Sequence, residues 1–485
     1  MRKTPRIAIL GAGIMGCSTA IFLARKGIEV SVFDMAEQPF SAASRWNEGK
    51  IHLGCLYSAD PSLSTADRVI PGGLKFRPLI EELVGTSLAP AITSEDDLYL
   101  CHRKSVTSAA EMKTYMEKVV ERVRNHPDAA QYLADASGSR VHPLSTSELA
   151  GLTSSTDIVA GFRTPERSVD TNWVAERFIP AMDAEASIQQ FMKTRITAVR
   201  PAKDGIDGKW EIETSEGIFG PFDYVINSLW QGRLAIDRTA GLEPTGVWSH
   251  RYRQSLFLRT KEPVHTPCVV IATGPFGDIK NYNGRDFYLS WYSDGLRVDS
   301  SDISPPEPHL TAQNLENLPN SIFDHLESLL PWVAQIREQA ERSTIQGGWV
   351  FAVGQGVLSD RDSTLHSRSE YGIQRLGHYI SVDTGKYSTA PAMARAAPSC
   401  DGATISPASD VMAKPATSAK ISAPRARAWS WSSNTKTPAP SPITNPSRVV
   451  DIGRSTNGSG SDNMSYPVFQ HLRQNTTTLE HMSGT

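Results

Sequence analysis

The segment Gly11-Ala12-Gly13-Ile14-Met15-Gly16 stands between a short apolar run, Ile7 to Leu10, and a stretch of helical texture from Ile14 to Lys26 that Gly27 stops. A second apolar run, Glu29 to Phe33, follows and ends on Asp34. Strand, glycine-rich turn, helix, strand and acid in that order predict one right-handed βαβ unit, about 30 residues long. Each glycine has a physical role. Gly11 allows the tight turn, Gly13 lets bare backbone approach a pyrophosphate, and Gly16 lets the helix pack closely on the sheet. Ile14 and Met15 open the helix, whose free N–H groups face phosphate charge. Asp34 can accept both hydroxyls of an adenosine ribose and repels a 2′-phosphate. The chain therefore binds a dinucleotide, and NADP is disfavoured.

A chain of 485 residues suggests two or three domains. With 49 Lys and Arg against 52 Asp and Glu, nothing in the charge balance points to nucleic acid or an anionic membrane. Cys17, Cys55, Cys101, Cys268 and Cys400 form no CxxC pair, so neither a metal cluster nor a dithiol centre is expected. The apolar N-terminal run reads as buried strand and helix rather than as a signal peptide. No other segment approaches the length of a membrane span, and a cytoplasmic protein is expected.

Further along, helices are expected near 108–128, 145–150 and 172–183, and strands at 194–199, 210–214 and 222–227. Residues 35–78 read as irregular. Residues 245–300 read as an antiparallel sheet, 311–341 as helical, Tyr379 to Asp383 as a strand and Ser388 to Ala397 as a helix. After about residue 398 the texture becomes proline-rich and aperiodic, as expected of a weakly ordered tail. The break is abrupt, as a shifted reading frame or an altered terminus would produce.

The choice between FAD and NAD leans to FAD. The motif opens the chain, and the loop after Asp34 carries polar groups able to line a flavin. At this point the sequence resembles the FAD-dependent oxidoreductases of the D-amino-acid oxidase type, which include glycine and sarcosine oxidases. The resemblance rests on Gly11 to Gly16, Asp34, Ala43-Ser-Arg-Trp-Asn-Glu-Gly49, Arg167 to Thr171, Tyr224 to Ser228 and Gly377 to Lys386. It implies an α/β fold: a Rossmann-like, glutathione-reductase-like FAD domain assembled from 1–80, 145–239 and 345–397. A helical insertion at 81–144 and a mixed or antiparallel substrate domain at 240–344 would complete the folded part, with 398–485 as the tail. By family position Ser44, Arg45, Asn47 and Gly49 would run along the pyrophosphate, ribityl chain and flavin. Val199 would sit beside the adenine, and Gly385 and Lys386 near the flavin pyrimidine edge. No cysteine lies between Cys268 and Cys400 to anchor a flavin, which leaves His52 and His378 as covalent candidates.

The implied chemistry is hydride transfer from a C–N bond of an amino acid or amine to flavin N5. A substrate carboxylate needs a cation, best an arginine. The pool is Arg251, Tyr252, Arg253, Lys280, Tyr282, Arg285, Tyr288, Trp291, Tyr292 and Arg297. From it Arg285 and Tyr288 are chosen as substrate-side residues, with Lys50 and His52 placed near the ring by the resemblance. Period two puts Tyr288, Ser290 and Tyr292 on one face of a strand and Phe287, Leu289 and Trp291 on the other. The run Arg361-Asp362, His366, Arg368 and Glu370 reads as a solvated loop or the border of the site. Two other readings stand beside the main one: another flavin- or NAD-dependent dehydrogenase or monooxygenase, and a non-catalytic nucleotide-binding protein.

Overall fold

The computed structural model describes residues 4–202, 208–397, 399–401 and 404–406. Apart from a small hairpin, Ser399–Asp401 with Thr404–Ser406, the expected tail lies outside the described residues.

The first strand, Arg6–Leu10, sits in a six-stranded sheet. It runs parallel to Glu29–Phe33 on one side and to Tyr224–Asn227 on the other. Ile188–Phe191 extends the sheet beyond Glu29–Phe33, and Tyr379–Asp383 extends it beyond Tyr224–Asn227, both parallel. Gly372–Leu376 closes that edge antiparallel. The central strand is buried on both faces, which explains its unbroken apolar run. The helix Ile14–Ala24 is also buried nearly all round, so its apolar content follows from position rather than from a membrane. Among the described residues no helix is long and apolar enough to cross a bilayer. A three-stranded antiparallel sheet, Ile196–Pro201, Trp210–Thr214 and Gly217–Phe222, stands beside this unit.

The second sheet has nine strands and is mixed. Its long strand Trp248–Thr260 pairs antiparallel with Asp286–Trp291, Leu296–Ser300 and Ala340–Val353. The helices Ala312–Leu329 and Val333–Gln339 supply its core through Leu318, Ile322, Leu326, Val333 and Ile336. Leu256, Leu258, Phe287, Leu289 and Trp291 face that core. The alternate residues face away from it, as the period-two reading requires.

Two sequence expectations need correction. The segment 81–144 is not only helical, because Leu98–His102 joins the second sheet, parallel to Val269–Ala272 and antiparallel to Ile158–Arg163. The segment 35–78 is not irregular throughout, because Ser64–Leu74 is a helix. Pro71, Gly72 and Gly73 disguise it. A Cβ on Gly72 would stand 3.0 Å from Thr389 and one on Gly73 2.4 Å from the His52 carbonyl oxygen. The glycines let this helix lie directly on the two segments that build the site.

Candidate functional site

The glycine turn forms a cradle of bare backbone. Gly11 has φ +97°, and a Cβ on Gly16 would stand 1.9 Å from the Gly11 carbonyl oxygen. A Cβ on Gly13 would meet Ser44 Oγ at 2.8 Å. Gly13 is the N-cap and, lacking a side chain, offers the helix amides no bond of its own. Ser44 Oγ accepts from the Ile14 N–H at 3.0 Å, tying the loop to the helix start. Met15 is core, its carbonyl accepting from Thr19 at 2.8 Å. Asp34 accepts the Ala12 amide at 2.7 Å and the Ala36 amide at 2.8 Å, one on each oxygen. Each carboxylate oxygen keeps a lone pair for a ribose hydroxyl. Arg45 Nε, next along from Ser44, is buried without a protein partner. Bare backbone, a glycine N-cap, an acid and an unpaired cation suit an ADP moiety.

From Trp46 to Cys55 the chain forms a strap. Asn47 folds back to the Ala43 carbonyl at 2.8 Å and accepts the Gly49 amide at 2.8 Å. Gly49 has φ +66°, and a Cβ there would stand 1.9 Å from the Val169 carbonyl oxygen. Lys50–Ile51 pairs antiparallel with Arg167–Ser168. The fully buried Glu166 collects the amides of Leu53 at 2.6 Å, Gly54 at 2.7 Å and Cys55 at 3.1 Å, and accepts the Tyr99 hydroxyl. Lys50 Nζ reaches Asp97 at 3.1 Å, and Lys280 Nζ reaches the same oxygen at 2.6 Å. Burial would raise the Asp97 carboxyl, but the two lysines outweigh it and hold it below its usual range. This buried ion knot binds the strap to the second sheet.

The strap faces the polar side of that sheet. Arg251 and Arg253 alternate with Tyr252 on the long strand, so they share a face. Arg251 is 2% exposed. Its Nη1 donates to Tyr292 OH at 2.7 Å, while its Nε and Nη2 have no partner. Arg253 stacks 4.4 Å from the Tyr292 ring centroid, and its Nε is unpartnered. Burial works against the Arg253 charge, but Tyr288, Tyr292, Asp278 and Glu48 raise its pKa overall. Tyr288 accepts from Ser255 at 3.1 Å and packs with Phe257, Tyr282 and Trp46.

Lys386 and Arg368 complete the cluster. Lys386 is half-buried, with Nζ 5.3 Å from the centre of the Tyr57 ring. Burial, then Arg368, lowers its pKa to about 7. Burial, then Arg251, lowers the Arg368 pKa to about 10. His52 is 3% exposed, its Nδ1 has no partner, and its Nε2 lies 3.9 Å from Glu48. Burial, then Lys386, Lys50, Lys280 and Arg368, hold its pKa well below the usual value. The buried hydroxyls of Tyr57, Tyr387 and Ser388 also lack partners. The unsatisfied His52 Nδ1 and Tyr57 hydroxyl, beside the Lys386 cation, fit the polar edge of a flavin.

The structure thus brings together Gly11, Gly13, Ile14, Gly16, Asp34 and Ser44 at one end, and Lys50, His52, Tyr288 and Lys386 at the other. Arg45, Asn47 and Gly49 lie between them. Gly385, with φ +65°, donates its amide to Asp383 at 2.9 Å and turns the chain into Lys386. Arg285 departs from expectation. It sits on the Asn281–Asp286 turn, 3.5 Å from Glu262 at the surface, apart from the cluster. Val199 is core beside Phe33, Trp210 and Ile212, and its amide goes to Thr239 at 2.9 Å. His378 lies on an outer turn, 3.2 Å from the Gly208 carbonyl oxygen. The polar run divides: Arg361 pairs with Glu111 at the surface, whereas the partly buried Arg368 donates to the Phe351 carbonyl oxygen at 3.3 Å. Among the described residues no group of acids, histidines and cysteines forms a metal site.

Residues 6–395 match the family model described as FAD dependent oxidoreductase. The chain belongs to this family. Among solved structures, glycine oxidase from Geobacillus kaustophilus is 16% identical, with TM-score 0.56 over 81% of this chain and 93% of that one. L-α-glycerophosphate oxidase from Mycoplasma pneumoniae, solved with FAD bound, is 15% identical, with TM-score 0.54 over 81% and 93%. L-proline dehydrogenase from P. horikoshii is 14% identical, with TM-score 0.55 over 82% and 92%. At these identities the likeness is one of fold, and the three differ in substrate. In this family, as elsewhere, the chemistry of a chain has to be argued from its own side chains.

Proposed function

We propose that this protein is an FAD-dependent oxidoreductase that takes hydride from the C–N carbon of an amino acid, or of an amine bearing an acid group. The observation that carries the reading is Arg251. Its Nε and Nη2 form one edge of the guanidinium, both buried and without a partner, and that edge matches a carboxylate bidentately. FAD, when bound, supplies the two-electron acceptor; the protein's part is binding, orientation and exclusion of water.

In this reading Arg251 fixes the substrate carboxylate and thereby the position of the reacting carbon. His52, held neutral by burial and surrounding cations, offers Nδ1 as a hydrogen-bond acceptor to orient the substrate nitrogen, which reacts as the free amine. Trp46, Phe257, Tyr282 and Tyr288 keep water from that face. Lys386, at the turn after Asp383, places a cation where negative charge develops on the flavin pyrimidine. Arg45 and the glycine cradle hold the pyrophosphate.

The test begins with the visible spectrum of the purified protein and release of flavin on denaturation. Amino acids and amines are then screened for anaerobic bleaching. A yellow protein bleached by an amine is the expected result. Bleaching by NADPH alone would assign a monooxygenase, and a colourless protein that takes up no FAD would leave only a nucleotide-binding scaffold.

A further inference from the structure

His52 lies between two stretches of the strap that are tied to one carboxylate. After it in the chain, Glu166 Oε1 takes the amides of Leu53, Gly54 and Cys55 at 2.6, 2.7 and 3.1 Å. Before it, Lys50 Nζ donates to the Tyr99 hydroxyl at 3.1 Å, and that hydroxyl donates to Glu166 Oε2. Residues 50–55, Tyr99 and Glu166 thus close a ring. Tyr132 holds the strap from inside it, its hydroxyl donating to the Ile51 carbonyl oxygen at 2.6 Å. Helix Ser64–Leu74 presses on the His52 carbonyl oxygen, from which a Cβ on Gly73 would stand 2.4 Å. Within residues 50–55 the buried polar side-chain atom left without a partner is His52 Nδ1.

The ring needs a carboxylate. Glu166 and Tyr99 are both 0% exposed, and the four groups that donate to Glu166 are neutral, three amides and a phenol. Burying a charge among neutral donors costs more than burying an amide of the same shape. A glutamine would offer one oxygen to the three amides, but its NH2 group could not accept from Tyr99 and would compete with Lys50 for the phenol oxygen. Only a group that accepts on both sides fixes the strap before and after His52 at once. An orienting acceptor has to be held to within about 0.5 Å, and this ring provides that hold.

Resting on the reading of His52 given above, we propose that Glu166 and Tyr99 are positioning residues: they clasp the strap around His52 and so set where its Nδ1 meets the substrate nitrogen. Arg251, on the second sheet, holds the carboxylate independently of the clasp.

The test uses the full chain loaded with FAD and two probes titrated by perturbation of the flavin spectrum at one alkaline pH. Isobutyrate carries the carboxylate alone. 2-Aminoisobutyrate adds the amine and has no α-hydrogen to lose, so it binds without reacting. Wild-type protein should favour 2-aminoisobutyrate about fivefold, the worth of one neutral hydrogen bond, and His52→Leu should abolish the preference. Glu166→Gln and Tyr99→Phe should lose most of it while binding isobutyrate as wild type does. In the His52→Leu background neither should change the binding of either probe further. Tyr99→Phe removes one hydroxyl and keeps the ring, so it carries the test alone should Glu166→Gln not fold. A preference retained in both folded clasp variants overturns the proposal and leaves the role of His52 standing. Equal weakening of both probes, or a further loss in the His52→Leu background, also overturns it, because the two residues would then act on the fold at large. If wild type shows no preference, or His52→Leu keeps it, the reading of His52 fails and the clasp falls with it.

Discussion

Arg251 gives one guanidinium donor to the hydroxyl of Tyr292 at 2.7 Å and keeps two others buried and unpaired. Stability and function should therefore pull against each other at this position. Replacing Arg251 by Met removes an uncompensated buried charge, so the protein without substrate should unfold at a higher urea concentration than wild type. The same variant should lose about 2–5 kcal/mol of substrate binding, seen as a rise in KM of at least tenfold. A variant both less stable and fully active would contradict the placement.

Lys386 makes stability depend on pH in a defined direction. Its folded pKa, about 7, lies below its ordinary value of 10.5. Below pH 7 both folded and unfolded chains hold the proton, and the folded chain carries the whole cost of a charge that is partly desolvated and crowded by Arg368. Between these pKa values the unfolded chain binds more protons, so this residue's contribution to stability rises with pH. Lys386→Met should stabilise the flavin-free protein at about pH 6, and the advantage should shrink by about pH 9. Urea midpoints of the two proteins at both pH values check this.

Gly13→Asp should abolish flavin uptake. A Cβ already meets Ser44 Oγ at 2.8 Å, and a carboxylate beyond it would face the pyrophosphate. Normal visible flavin absorbance in the folded variant would show that this cradle does not hold the pyrophosphate.

Gly49→Ala tests the strap. Its φ of +66° and the Val169 oxygen 1.9 Å from the added carbon leave no room without movement of one strand. A loss of about 1–3 kcal/mol or more is expected, measured by denaturant unfolding, together with weaker flavin retention.

Arg285→Ala, in contrast, should change stability by about 0.5 kcal/mol or less and leave KM as it is. Steady-state kinetics on whichever amine bleaches the flavin provide the check.

The nucleotide end was legible because its chemistry is written in local spacing. Three glycines and one acid at fixed offsets define a turn, a helix start and a strand end within one unit. The substrate end is assembled from residues far apart in the chain, and nothing local marks Asp97 or Glu166 as buried. Some signals were available. Asn283-Gly284 is a hairpin dipeptide and places Arg285 on a turn. Arg251 and Arg253 stand two apart on a strand whose other face becomes apolar at Leu256 and Leu258, a spacing that sets both guanidinium groups on one side. Gly347-Gly348 also marks a close approach, since a Cβ on Gly348 would stand 2.8 Å from Ala43 Cα. The helix at Ser64–Leu74 was hidden because packing on the strap required the very residues that ordinarily end a helix.

The pairing of Ile7 with Tyr224, and of Val225 with Tyr379, has a consequence for biosynthesis. The ribosome delivers the central strand first, yet one lateral neighbour is translated midway and the next only late. Glu29–Phe33 can cover one flank early, but the other stays apolar and open until Tyr224–Asn227 has been made. Topologies of this kind fold slowly and expose sticky surface meanwhile, so the cell's chaperones should matter more to the yield of this protein than its finished stability would suggest.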